Sequence, residues 1–501
     1  MEDYGILSIV PAGLSIVLAI YTRNIIFSLA IGIFCGSMIL TGFNPFFAIT
    51  DLMEKRIFVQ VSNELNIQVI VVTLAIGGFI QLLDKSGGAH AFSSVITKFI
   101  STPVRAQLGA WFAGISVFFT DTGNALIIGP LFKPVFNELK ICREKFAFIL
   151  DSTAAPVSIL IPFVGWGVYI MSLIENSYGD AGLPDDAFQV LLNIWPYQFY
   201  AFLALASIPM ILSTGRDFGP MAKAQENYNL AIKNGTLDAE GDASVEPEAE
   251  SSKPRMSVVV LPLSVMLVTM SGYIIYYAAV EGMKSTHVRA AIAISYLLAS
   301  LCCAYLMKKH QNITYNQSMN QFVRGMEKLV LICLILALAW SLSSICKDLQ
   351  TGAYLASIIG DTIDPNFLPL IVFVLGAIMS FATGTSYGTF AILITIVVPL
   401  AHALDAPMVL TLAGVLSGGL FGDHTSPISD TTVLASMGAD CPHIDHVSTQ
   451  LSYALISGSM AILAFTVAGF YQSPMIIFAV FVVQFIVLHG IMRMYGRITL
   501  K

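Results

Sequence analysis

Gly418-Gly419-Leu420-Phe421-Gly422-Asp423-His424-Thr425-Ser426-Pro427-Ile428-Ser429-Asp430-Thr431-Thr432 interrupts an apolar run at 407–436. Glycines, a proline, a histidine and two acids stand where a spanning helix would carry hydrocarbon. Non-helical backbone at membrane depth survives only inside protein or beside water, because lipid cannot satisfy its N–H and C=O groups. Three other stretches break apolar runs in the same way. They are Phe118-Phe119-Thr120-Asp121-Thr122-Gly123-Asn124, Leu150-Asp151-Ser152-Thr153-Ala154-Ala155-Pro156 and Ser380-Phe381-Ala382-Thr383-Gly384-Thr385-Ser386-Tyr387-Gly388-Thr389.

The surrounding chain fits that reading. Of 501 residues only 25 are basic and 32 acidic, about 11% charged, against roughly 25% in soluble proteins. A water-soluble fold, a disordered chain and a disulfide-stapled domain are all excluded. Apolar runs fall near 5–21, 24–42, 66–84, 105–137, 145–175, 190–213, 257–280, 288–307, 328–346, 366–400, 407–436, 448–470 and 474–492. They lack the alternation of barrel strands. The expected fold is an all-α polytopic membrane protein with about 12 transmembrane helices, since a span takes ~20 residues. The first run follows Met1-Glu2-Asp3-Tyr4, which has no basic n-region, so a retained span is expected rather than a cleaved signal. The seven cysteines show no CxxC spacing and imply neither a redox nor a zinc framework.

The four breaks pair as a repeat. Gly88-Ala89 matches Gly352-Ala353, Pro103 matches Pro365, Phe119 matches Phe381 and Pro156 matches Pro427, all in one order and at nearly one offset. Interrupted segments in corresponding positions of two halves point to a secondary-transporter site. Whether the repeats are inverted stays open at this level. The expected division is N-terminal spans at 1–65, a first repeat at 66–213 with breaks at 118–124 and 150–156, and a polar linker at 214–256. Connecting spans follow at 257–327, a second repeat at 328–446 with breaks at 380–389 and 418–432, and C-terminal spans at 447–501.

Basic residues near span ends set an expected orientation. Lys140, Arg143, Lys145, Arg216, Lys223, Lys253, Arg255, Lys308, Lys309, Arg493, Arg497 and Lys501 can all lie on the cytoplasmic side, with the C-terminus. The modest net charge of −7 is not a signal for nucleic acid.

Breaking a helix frees carbonyls at one half-helix end and amides at the other, and the carbonyl end suits a cation. Oxygen donors select hard cations such as sodium. Asp121, Asp151, Asp423 and Asp430 lie in apolar surroundings, where an acid costs ~3 kcal/mol on insertion scales. A buried carboxylate that holds either a proton or a cation is a minimal exchange device. The bland alternative makes one or two of these acids caps of half-helices, Asp430 above all, because Ser429-Asp430-Thr431-Thr432 reads as a helix start. Lys133 is a candidate to neutralise a carboxylate, or else it snorkels to the membrane edge. Cys441-Pro442-His443-Ile444-Asp445-His446 has ligand-type residues, but a loop entering a helix is favoured over a zinc site.

At these residues the chain resembles the NhaC-type sodium/proton antiporter family of the ion-transporter superfamily. Phe421 to Thr432 matches its FGDHxSPISDTT signature, and His443-Ile444-Asp445-His446-Val447 with Thr449-Gln450 continues the match. Arg143-Glu144-Lys145 and Asp151 to Pro156 resemble its REK…DSTAAP block, and Gly384 to Thr389 its GTSWGT. Family members often carry two adjacent acids ahead of the Asn, where this chain has Thr120-Asp121. The resemblance implies a bacterial or archaeal inner-membrane secondary transporter with broken-helix repeats and elevator-like motion. The family also includes malate/lactate exchangers.

The leading expectation is sodium/proton antiport without a cofactor, sodium and protons being the cargo. Asp151 and Asp423 would be the competitive carboxylates, Asp121 and Asn124 would assist, and Thr153, Ser386, Ser426 and Ser429 would supply neutral oxygens, with Asp430 a further candidate. The runner-up is sodium-coupled exchange of an organic acid or amino acid, which needs a cation facing a small carboxylate substrate. The partners expected are the lipid bilayer and these ions. Such transporters are often homodimers, a state that no segment here localises. An intramembrane aspartyl protease is disfavoured, since Leu420 stands where GxGD needs glycine, and no Walker loop is present.

Overall fold

The computed structural model describes residues 4–87, 100–184, 186–234, 255–280, 285–359 and 363–498. Gly88-Ala89, one half of the first repeat match, lies outside the described residues. Among the described residues the regular structure is helical, apart from one two-residue strand pair, Arg216–Asp217 with Arg497–Ile498. Among the described residues nine helices are long and apolar enough to cross a membrane, or ten if Ala187–Tyr197 and Phe199–Thr214, bent by 41°, form one span. That is fewer than about twelve, because several apolar runs are divided into shorter helices at the breaks.

The interruptions are real but shorter than the polar stretches that announce them. Between Pro103–Ser116 and Asp121–Glu138 only residues 117–120 leave the helix. Arg143–Ser152 and the short Ala155–Ser158 are parted by Thr153-Ala154. Leu368–Thr383 and Ser386–Ala403 are parted by Gly384-Thr385, and Met408–Thr425 and Asp430–Ala439 by residues 426–429. Local chemistry explains the tips. Thr120, extended, caps its helix by accepting from Gly123 N at 3.0 Å. Gly384 has φ of 68°, and a Cβ there would lie 2.6 Å from Ile428 O, so the second tip turns in two residues on a left-handed glycine.

Contacts at the helix ends fix the direction of each piece. His443–Tyr471, with 29 residues, reaches ~43 Å at 1.5 Å per residue and joins two opposite faces. Beside its start, Asp440 pairs with Lys133 at 2.8 Å and Arg143 at 3.0 Å. Lys145 pairs there with Asp217, and Gln107 lines the same small cavity. Pro103–Ser116 therefore enters at this basic face, and Asp121–Glu138 returns to it. At the far end, Gln472 O accepts from Tyr197 Oη at 2.8 Å, and Gly469 packs on Asn366 O. Leu368–Thr383 thus enters from the opposite face. Ser386–Ala403 returns there, since residues 404–407 lead straight into Met408–Thr425, whose Gly414 packs on Pro369 O. Two re-entrant hairpins enter from opposite faces, each followed by a broken helix. The repeats are inverted.

The polar stretch 214–256, read as a linker, is folded over its first half. Asp217 is wholly buried between Lys145 and Tyr453, whose Oη donates to it at 2.9 Å. Helix Gly219–Lys233 buries Met221 and Ala222. Its Gln225 accepts from Cys142 N at 3.0 Å and donates to Lys140 O at 2.8 Å. An apolar stripe on an otherwise polar helix is enough to dock it. Residues 235–254 of this stretch lie outside the described ones.

Candidate ion-binding site

The breaks meet in the interior. Gly129 and Gly438 let Asp121–Glu138 and Asp430–Ala439 cross almost in backbone contact, a Cβ on Gly129 falling 2.5 Å from Gly438 O. Gly438 also meets Ala125 O and Leu150 there, the chain neighbours of Asn124 and Asp151.

In the first repeat, Asn124 is fully buried. Its Nδ2 donates to Gly114 O at 3.1 Å and Thr153 O at 2.7 Å, tying the hairpin to the broken helix beside it. The Thr153 hydroxyl donates to Ile149 O at 2.8 Å. Asp121 opens its helix and accepts from Thr122 N at 2.7 Å and Trp166 Nε1 at 2.8 Å. Asp151, fully buried, is held from the other half of the molecule: Oδ2 accepts from Thr432 Oγ1 at 2.9 Å and Gln450 Nε2 at 2.6 Å.

In the second repeat, the tie across the break ends on the carboxylate itself. Ser386, first residue of its helix, gives Asp423 Oδ2 its hydroxyl at 2.6 Å and its backbone N–H at 3.2 Å. Ser426 Oγ donates to Phe381 O at 2.7 Å, pinning the hairpin to the break. Ser429 Oγ lies 3.0 Å from Thr431 Oγ1. Asp430 stands one residue inside its helix rather than at the cap and accepts from Thr431 N at 2.9 Å.

The buried side-chain oxygens at these breaks without a hydrogen-bond partner include Asn124 Oδ1, Asp151 Oδ1 and Asp423 Oδ1, beside the hydroxyls of Ser158 and Ser380. An unmatched buried acceptor costs about 1–3 kcal/mol, and a hard cation is one group that satisfies such oxygens. A cavity of about 380 Å³ reaches Asp121 and Asp430 and is walled by Trp166 and Tyr387. It runs along the Glu64–Lys85 and Tyr315–Asp348 helices to Gln81 and Lys328, which are joined by a bond of 2.6 Å.

Lys133 is not among these carboxylates. It and Arg143 neutralise Asp440 in the loop after residue 439, and the Lys133 ammonium holds that carboxyl below its ordinary value. Cys441 and Pro442 lie in that loop, and His443 opens the long helix. Among the described residues no group of three His, Cys, Asp or Glu is placed to hold a metal ion.

Sequence reasoning left Thr432, Gln450 and Trp166 out of the candidate set. Gln450 also donates to His424 O at 2.5 Å and so links Asp151 to the helix that carries Asp423. A signal for it exists: His446, Thr449, Gln450, Tyr453 and Ser457 recur at helical spacing and are all buried, a polar stripe on a span. A buried pair, Arg289 with Glu175, also escaped notice and ties two scaffold helices.

A model of the Na+/H+ antiporter family matches residues 160–470. An uncharacterized protein of Haemophilus influenzae is 32% identical over 96% of this chain and 94% of its own length. The malate-2H+/Na+-lactate antiporter of Bacillus subtilis is 30% identical over 35% of this chain and 37% of its own. The crystal structure of the Alcanivorax borkumensis YdaH transporter, of unusual topology, superposes with a TM-score of 0.56 at 13% identity, over 86% of this chain and 90% of that one. The last likeness concerns the fold alone. On the family match and the full-length relative, this multi-pass membrane transporter belongs to the Na+/H+ antiporter family.

Proposed function

We propose that the chain exchanges sodium for protons across the inner membrane, through carboxylates at its interrupted helices. The observation that carries this reading is the set of buried, unmatched oxygens on Asn124, Asp151 and Asp423. Asn124 and Asp423 each spend their other polar atom on the tie across a break, and Asp151 spends its own on Thr432 and Gln450 of the other half, which leaves one oxygen on each free for a ligand. Sodium there would be matched by oxygen alone. A proton on Asp151 or Asp423 removes the negative charge that attracts the cation, so the two ligands exclude each other. Thr153, Ser386 and Ser426 spend hydroxyl hydrogens on neighbours and keep lone pairs for a cation, and Ser429, which shares one hydrogen bond with Thr431, adds a fourth hydroxyl oxygen. Asp121 and Asp430, on the cavity wall, would concentrate cations at the entrance.

The face that carries Arg143, Lys145, Arg216 and Arg497 would be cytoplasmic, with the C-terminus, by the bias of basic residues toward that side. No cofactor is needed for this chemistry. The test is sodium-driven proton flux in proteoliposomes. Asp151→Asn and Asp423→Asn are expected to reduce it to background with the protein still inserted. Normal flux in both variants would overturn the assignment.

A second reading has one observation in its favour. The cavity that holds Asp121 and Asp430 also holds the Lys328 ammonium, a cation that could face a substrate carboxylate, and one relative carries malate and lactate by name. Uptake of labelled dicarboxylates and amino acids into the same vesicles separates sodium-coupled organic-solute exchange from cation exchange alone.

A further inference from the structure

Asp151 is reached by a second line of polar groups that does not pass through the cavity. Gln450 spends both amide hydrogens, on Asp151 Oδ2 and on His424 O. Its Oε1, 2.9 Å from His446 Nε2, must therefore accept, and that ring nitrogen carries hydrogen. His443 Nε2 lies 2.6 Å from Pro427 O, which only accepts, so it carries hydrogen too. In a neutral imidazole the remaining Nδ1 is then a bare acceptor. Both Nδ1 atoms face one hydroxyl, Ser436 Oγ, at 3.0 Å from His443 and 2.8 Å from His446. The same hydroxyl also faces Thr432 O at 2.8 Å. One hydrogen meets three acceptors. The shortage is relieved when one imidazole takes up an extra proton, donates Nδ1–H to Ser436 Oγ and lets Oγ–H point at the other ring.

We infer that His443, Ser436 and His446 form a proton relay between the basic face and Asp151, separate from the cation entrance at Asp121 and Asp430. The inference rests on the proposed role of Asp151 as a proton carrier. Its outer end is open: Ser436 and His443 line a surface cleft of about 420 Å³ with Arg143, Asp440 and Cys441. Its inner end is closed, with His446 fully buried and its Nε2 4.0 Å from Asp151 Oδ2. The step balances without a co-reactant. Nδ1–H of His443 passes to Ser436 Oγ while Oγ–H passes to Nδ1 of His446, which moves the charge inward. His446 then releases its Nε2 proton to Asp151 as the Gln450 amide swings aside, leaving a neutral imidazole and a carboxylic acid. The charged and titratable groups around the relay are Asp151, His424, Asp430, Lys133, Arg143, Glu144, Asp440, Cys441 and Asp445.

The test compares two transport modes of the full chain in proteoliposomes: sodium-driven proton flux, and sodium–sodium exchange, which moves no proton. In His446→Gln and Ser436→Ala the relay requires proton flux to fall by about tenfold or more, within the range of a single proton-transfer group. Sodium–sodium exchange stays within about twofold, and its persistence shows that the variant is folded. His443→Gln is expected to lower proton flux most at alkaline pH, where protons at the cleft are scarce. Unchanged proton flux in His446→Gln, with Asp151→Asn inactive, overturns the relay alone. Loss of both modes in both relay variants also overturns it, because the residues then serve binding or packing. Full flux in Asp151→Asn overturns the reading on which the relay rests.

Discussion

The two inverted repeats solve one problem with different chemistry. Each sets a re-entrant hairpin against a broken helix and closes the gap with a side chain near the start of the returning hairpin arm. In the first repeat that tie is Asn124 to the carbonyl of Thr153, and in the second it is Ser386 to the carboxylate of Asp423. The first helix starts on an acid, Asp121, and the second on a hydroxyl, Ser386. Asp423 is thus clasped within its own repeat. Asp151, at the corresponding place, is held by Thr432 and Gln450 from the other half. The difference teaches that, on the proposed roles, a ligand at Asp423 would bear on one hairpin, whereas a ligand at Asp151 would bear on the joint between the halves.

The strongest way to break this comparison is to neutralise each acid. Asp151→Asn and Asp423→Asn both reduce sodium-driven proton flux to background, but they differ in a second readout. Cross-linking between Thr432 and Asp151-helix cysteines changes in the first variant only, if Asp151 is the joint. Equal effects in both variants would erase the distinction.

The tips offer the next largest effect. Gly384→Ala forces a left-handed residue and a Cβ 2.6 Å from Ile428 O, and about 1–3 kcal/mol of stability is lost. Gln450→Leu strips a donor from Asp151 and from His424 O, a loss of about 1–3 kcal/mol. Ser386→Ala leaves Asp423 its backbone donor at 3.2 Å and costs about 1 kcal/mol. Thermal unfolding in detergent ranks the pair, and the reverse order would contradict the joint.

The smallest effect is expected outside the membrane. Lys133→Met removes a partner of Asp440, whose side chain is 51% exposed, and flux stays within about twofold because exposed ion pairs contribute little. The Asp440 carboxyl is held below 3.8, first by its bond with Lys133. Its contribution is therefore present above pH 3.8 and is lost as pH falls through the lower folded value. A melting curve near neutral pH should barely register the change.

Much of this architecture is legible in the residues. Asp151 and Asp423 stand out because acids are rare in hydrocarbon, and Gly384-Thr385 and Ser426 to Ser429 because such runs cannot continue a helix. The breaks read longer than they are, since Asp121 to Asn124, Gly418-Gly419 and Gly422 to Thr425 are polar or small yet helical. Polarity marks where a helix meets water or a ligand, and the hydrogen-bond ladder sets where it ends. Gln450 stayed hidden because an amide on a long apolar span carries no charge signal. Residues 216–233 read as linker because a short amphipathic helix on a membrane protein resembles any polar loop.

By itself the sequence determined that this chain lives in a bilayer, that it carries two related sets of interrupted helices and that a few carboxylates stand at the interruptions. These follow from composition and local pattern, which the solvent reads directly. Only the tertiary structure decided that the hairpins enter from opposite faces and that Asp151 is held across the two halves. It alone decided that Lys133 serves a loop and that two histidines share one serine. Those facts depend on which helix ends meet in space, and apolar helices in lipid carry little in their own residues to say which neighbour they choose.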